Sequence, residues 1–346
     1  MRRAVLLFLA LSIAAPVVAQ EKAAPAPSWD FRVEPLMDLH FWVRNLSYGK
    51  GDLPAVEGLA PAVETVRQMN AELKESWGVY DGVFVGVSSV EDLTRGAAEL
   101  PESLTLRNGQ TLRLREGVAR LAAAYRPLEK PFLEKIWPGH REHSEKGAAL
   151  LRKTMPSRAS EVFSDLSRHL GTPAPSSPIP VYLVASSPFP RAVTFRSRGG
   201  GVCVITLIDE PPSLAAEIVI HESIHALDVA AGEASVLAEL RRKLSQIPGA
   251  SPQDVHDFVH TVMFAQGAAT VRRVFDPAHK DYGDTSAYYP KVTRAAAVVV
   301  PAWKDYNEGK ITREAAVERI VAGFGEKEKG GPKAAPEKPS SREPMR

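Results

Sequence analysis

The chain has 346 residues, 44% of them hydrophobic and 24% charged, a globular composition that excludes disorder throughout. The formal charge is +2, and removing Arg2 and Arg3 leaves 41 basic residues against 41 acidic ones, which gives no basic surface for nucleic acid. A single cysteine, Cys203, excludes an intrachain disulfide framework and cysteine-rich metal or iron–sulfur sites.

Residues 1–19 (MRRAVLLFLALSIAAPVVA) read as a secretory signal peptide. Arg2 and Arg3 form the basic start, Ala4 to Ala15 the apolar stretch, and Val17, Val18 and Ala19 the small residues before cleavage at Gln20. A secreted or periplasmic protein is expected. No later apolar run reaches the roughly eighteen residues of a membrane helix, so no span is expected after cleavage. Residues 20–28 and 325–346 are rich in Pro, Ala, Gly and mixed charge, and are expected to be a flexible N-terminal segment and a disordered tail. Between them, 29–324 is expected to form a single bilobed domain.

Apolar periodicity predicts helices over about 56–76, 116–125, 128–170, 212–231, 233–245, 252–275, 291–308 and 312–323, the third interrupted near WPGHREH (137–143). Strands are predicted at 181–186 (VYLVAS), 191–196 (RAVTFR) and 201–208 (GVCVITLI), separated by the turn-like SPFP and SRGG. The fold class is therefore α+β: mainly helical, with a small, largely antiparallel sheet preceding the helix of residues 212–231.

That helix carries IVIHESIHALD (218–228), and within it His221, Glu222, Ser223, Ile224 and His225 form an H-E-x-x-H motif. Residues four apart share a helix face, so both imidazoles can reach one tetrahedral Zn²⁺. Glu222, offset round the helix, misses the metal but can take a proton from a metal-bound water. Pro211, Pro212 and Ser213 suit the helix start, and the uncharged flanks predict burial. Asp228 lies about 10 Å along the axis from His221, too far for easy ligation beside both histidines, but able to accept a hydrogen bond from the far nitrogen of His225.

A catalytic zinc takes three protein ligands and keeps one position open. The next helix begins SPQD (251–254), a capping-box-like start, and presents His256 and His260 four apart, with Met263 and Gly267 on the same stripe. His260, deeper among Phe258, Val259, Val262, Met263 and Phe264, is the preferred third ligand. His256, Glu233 and Glu239 remain alternatives. In the loop DYGDTSAYYP (281–290), Tyr282 and Tyr289 are candidate donors to an oxyanion.

The motif and its uncharged surroundings, within residues 180–275, resemble the zincin metallopeptidases. The resemblance implies a strand-rich lobe before the motif helix, whose upper edge strand holds an extended substrate; residues 201–208 would fill that place. The metzincin continuation is absent: there is no Gly three residues after His225, and Asp228 stands there instead. The gluzincin arrangement implies a later glutamate, but Glu233 and Glu239 lack its E-x-x-x-D setting. IWPGHREH (136–143) and HTVMF (260–264) resemble stretches of uncharacterised secreted bacterial zincin-like proteins, which supports His260 and puts His140 in the same cleft. The expected function is a secreted zinc-dependent hydrolase acting on peptide or protein, with Glu222 as general base. The alternative is a non-catalytic binding or structural protein on a zincin-like scaffold.

Overall fold

The computed structural model describes residues 26–326 except 74, 75, 107, 108, 189, 190 and 198. The predicted signal peptide, most of the predicted N-terminal segment and the tail beyond 326 lie outside the described residues. In chain order, strand β1 (Trp29–Arg32) is followed by α1 (Pro35–Ser47), α2 (Leu59–Leu73), α3 (Trp77–Asp81) and α4 (Val90–Ala98). A two-stranded ribbon, β2 (Leu104–Thr105) and β3 (Thr111–Leu112), leads to α5 (Leu114–Lys135), α6 (Trp137–Thr154) and α7 (Ala159–Leu170). Then come β4 (Ile179–Leu183), β5 (Ala192–Ser197) and β6 (Gly200–Ile205). The C-terminal part comprises α8 (Pro212–Ala231), α9 (Val236–Ser245), α10 (Pro252–Val274), α11 (Tyr282–Thr285), α12 (Thr293–Asn307) and α13 (Arg313–Gly325).

The fold is mainly helical with one four-stranded sheet of order β1-β4-β6-β5. Its pairing differs from the largely antiparallel expectation: β1 runs parallel to β4, β4 parallel to β6, and only β5 is antiparallel, to β6. Adding β1 from the chain start, which short-range turn signals do not reveal, makes the sheet mixed. The same order corrects the place assigned to residues 201–208. That segment contains β6, which lies inside the sheet, and the edge beside it is β5.

Strand side chains alternate between faces, and here the two faces feed separate cores. Val181, Leu183, Cys203 and Ile205 pack with α6 to α10, α12 and α13. Tyr182, Val184, Phe195, Val202 and Val204 pack with α1 to α5. Burial on both sides explains the unbroken apolar letters of β6. The sheet is thus a partition between two helical layers.

Helix α8 lies across β5 and β6 and against α10. It begins with Pro212, whose fixed φ suits a first turn, and is apolar nearly all round because sheet and helices enclose it. Gly201 of β6 permits the closest approach: a Cβ there would meet Ala226 Cβ at 2.4 Å. At the start of the sheet, the Trp29 indole N–H donates to Ser223 Oγ of α8 at 2.8 Å. Ser251 caps α10 by accepting from the Asp254 amide. Farther along, Thr270 and Arg273 of α10 donate to Asp165 of α7, and Trp303 of α12 donates to Gln266. These bonds fix the helix that faces α8.

Two helical boundaries differ from expectation. A break before 128 was expected, yet α5 runs through Pro127 and Pro131 and stops at Ile136. The expected long segment is divided again at Met155, between α6 and α7. Among the described residues, no helix is long and apolar enough to cross a membrane.

Candidate metal centre

Glu217, His221 and His225 are successive i,i+4 positions on the buried length of α8, so they form one stripe. Opposite them, α10 contributes His260. His221 Nε2 lies 3.0 Å from His260 Nε2 and 3.2 Å from His225 Nε2, and one ligand atom from each ring falls within 4.8 Å of the others. These three histidines could hold a metal ion. A ring nitrogen has one in-plane lone pair or one proton, so His221 Nε2 can satisfy only one neighbour by hydrogen bonding. A shared cation satisfies all three. Tetrahedral zinc with Zn–N of about 2.0–2.1 Å spaces its nitrogens roughly 3.3 Å apart, close to the separations seen here.

Burial keeps the rings neutral and their lone pairs available. It lowers His225 to about 4 and His260 to about 2, with neighbouring histidines adding to the effect on both. His221 is pushed well down for the same reasons. Its ring packs on Phe264, one turn beyond His260, with centroids 4.1 Å apart, and its Nδ1 is buried without a hydrogen-bond partner.

Glu222 is 6% exposed. Burial pushes its carboxyl up to about 7, against the lowering effect of a hydrogen bond from Thr194 Oγ1 to Oε2 at 2.6 Å. Thr194 belongs to edge strand β5, so the strand beside the motif helix touches the motif carboxylate directly.

The alternatives for the third ligand separate clearly. His256 is exposed and lies outside the converging set, although its ring neighbours His260 at 5.1 Å. Glu233 is exposed in the turn after α8, and Glu239 pairs with Lys243. Asp228 accepts from Ser235 Oγ at 2.5 Å and from Arg241. Its carboxylate joins α8 to the start of α9 and reaches His225 through charge, raising that ring's proton affinity in part.

The tyrosines of the loop have different fates. Tyr289 is buried and donates to Asp281 Oδ2 at 3.0 Å, so its proton is already committed. Tyr282 is half-buried, and its acidity is lowered chiefly by burial, which outweighs the opposing charge of Arg191. Tyr288, not anticipated, sets its ring edge-on to His260 at 5.3 Å and against Phe264 at 4.3 Å. His140 does not join this site through its contacts: its Nδ1 bonds Asp38 at 2.5 Å, and its ring meets Trp42 and Phe132.

Glu217 was also missed. Its fully buried carboxylate receives the His279 ring nitrogen at 2.5 Å and the Tyr282 amide at 2.9 Å, binding the loop to the motif helix. A charged letter within the apolar run AAEIVI, four before His221, was the available signal. Gly267 does face α8 at Glu217 and His221, but a Cβ there would sit in ordinary contact at 3.7–3.9 Å. No protein-family model, curated protein or solved structure matches this chain.

Proposed function

We propose that the protein is a zinc-dependent hydrolase, a metallopeptidase in which His221, His225 and His260 hold the ion and Glu222 is the general base. The observation that carries this reading is the convergence of three neutral imidazole nitrogens beside a buried carboxylate whose hydrogen-bonding partner comes from an edge strand. When bound, zinc acidifies water and polarises a carbonyl oxygen. Glu222 then accepts a proton from the attacking water and delivers it to the leaving amine.

An extended peptide is the substrate class that fits β5, which among the described residues has no strand neighbour beyond it. Gly82 closely approaches the main chain of that strand at Arg196 and Gly78 lies against Phe195, while Thr194 reaches Glu222 of the motif helix. Tyr282 stands near the carboxylate as a candidate oxyanion donor. Action outside the cytoplasm, secreted or periplasmic, rests on the leader-like residues 1–19.

Metal analysis of the purified full chain, paired with hydrolysis of fluorescein-labelled casein, tests the proposal. One zinc per chain is expected, with affinity falling at least about tenfold in His260→Ala. Glu222→Gln is expected to keep zinc and lose hydrolysis by about 10²-fold or more. Absence of zinc from the wild-type chain, or full activity in Glu222→Gln, overturns the mechanism. Zinc binding without hydrolysis by the wild-type chain favours a non-catalytic binding protein.

A further inference from the structure

Glu222 has a long side chain whose free torsions must be ordered before its carboxylate can serve one water molecule. Among the described residues, one protein donor reaches that carboxylate, the Thr194 hydroxyl, 2.6 Å from Oε2. Among the described residues, Oε1 has no hydrogen-bond partner, unlike Oε2. The Thr194 hydroxyl has a single proton and three acceptors in range: Glu222 Oε2 at 2.6 Å, the Glu222 main-chain oxygen at 3.1 Å and Cys203 Sγ at 3.5 Å. The carboxylate oxygen is the nearest and the strongest acceptor, at the length of a charge-assisted bond.

The donor is itself held still. Threonine is branched at Cβ and stiff about χ1. Thr194 is paired opposite Cys203 in the β5–β6 ladder, and the adjoining Phe195 is buried in the opposite core. A rigid donor on one oxygen leaves the other free for the reacting proton.

We infer that Thr194 is the positioning residue for the general base, fixing Glu222 through Oε2 so that Oε1 receives the proton from water. The assignment rests on the hydrolase reading for its catalytic meaning.

Thr194→Val keeps the shape and removes the hydroxyl, and Thr194→Ser restores it. With the zinc-loaded full chain and labelled casein, Thr194→Val is expected to lower kcat on the order of 10- to 100-fold, with KM and zinc affinity within about twofold of wild type. Thr194→Ser is expected to recover kcat to within about threefold. Thr194→Val added to Glu222→Gln is expected to cause no further loss, because the group it positions is already disabled. An unchanged kcat in Thr194→Val, or a loss that Thr194→Ser does not repair, overturns the inference. A second readout is independent of turnover: crystal structures of wild type and Thr194→Val. A carboxylate ordered in one position in the wild type and displaced or multiply placed in the variant supports the role, whereas an unmoved carboxylate overturns it. If the wild-type chain binds zinc but cleaves nothing, the hydrolase reading fails, and the crystallographic comparison still decides whether Thr194 holds Glu222.

Discussion

Gly201→Ala tests how closely the candidate metal centre depends on the packing of strand against helix. The added Cβ would lie 2.4 Å from Ala226 Cβ and 2.5 Å from its Cα, where carbon atoms prefer about 3.5–4.0 Å. Relief requires β6 and α8 to separate by roughly 1 Å at that point. Neither segment yields freely, since Val202, Val204, Ile224 and Leu227 are buried in the two cores. Overpacking of this kind costs about 1–3 kcal/mol. Ala226 follows His225 directly, and a metal site holds its ligand distances to about 0.2 Å. Urea unfolding of the metal-free variant should therefore show a lower midpoint with an unchanged slope, and chelator competition should show zinc affinity reduced by about tenfold or more. Gly96→Ala, on the exposed face of α4 where a Cβ meets nothing within 4 Å, is the control and should be neutral or slightly stabilising. A Gly201→Ala protein with wild-type midpoint and wild-type zinc affinity would refute the argument.

Three further outcomes follow from the polar contacts. Glu217→Ala deprives the His279 ring and the Tyr282 amide of their shared acceptor; a loss of about 2–4 kcal/mol is expected, with faster amide exchange at 281–285, and unchanged exchange there would count against the loop being anchored this way. Asp165 is buried, which alone would raise its proton affinity, but hydrogen bonds from His169, Arg273 and Thr270 outweigh burial and hold it well below the ordinary carboxylate range. Its stabilisation is therefore present above about pH 4 and is lost as pH falls toward the folded value. The urea midpoints of wild type and Asp165→Asn should differ at pH 7 and draw together at pH 3; a constant gap would exclude the linkage. Trp29→Phe removes the indole donor to Ser223, while Ser223 retains its own bond to the Val219 oxygen. About 1 kcal/mol should be lost in unfolding, and zinc affinity should stay within twofold by chelator competition; a tenfold change would mean that this contact tunes the metal site.

The motif helix and its facing helix were legible because each combines a proline-containing start with a long apolar pattern: residues 212–231 and 252–275 were expected, and Pro212–Ala231 and Pro252–Val274 are found. His260 was singled out by its depth among Phe258, Val262 and Phe264, and the structure brings it to His221. Other features were not written locally. Helix α1 is buried on nearly every side, so it shows no stripe to mark it, and β1 is only four residues long. Strand order is a long-range property: β1 pairs with a strand about 150 residues away, and no turn signal records it. Thr194 stands in an alternating strand, but the letters do not say which face meets α8. Likewise, three tyrosines share the loop of residues 281–290, and only packing decides that Tyr288 meets His260 while Tyr289 meets Asp281.

Strand β5 serves two masters by turns, Phe195 entering one core while Thr194 meets the motif carboxylate. Losing or gaining one amino acid inside it would invert that allegiance, driving a phenyl or isopropyl group onto Glu222 and stranding a hydroxyl in hydrocarbon. Only changes of two preserve the phase, so length variation in this part of the chain should be confined to even steps or to the turn around Gly199.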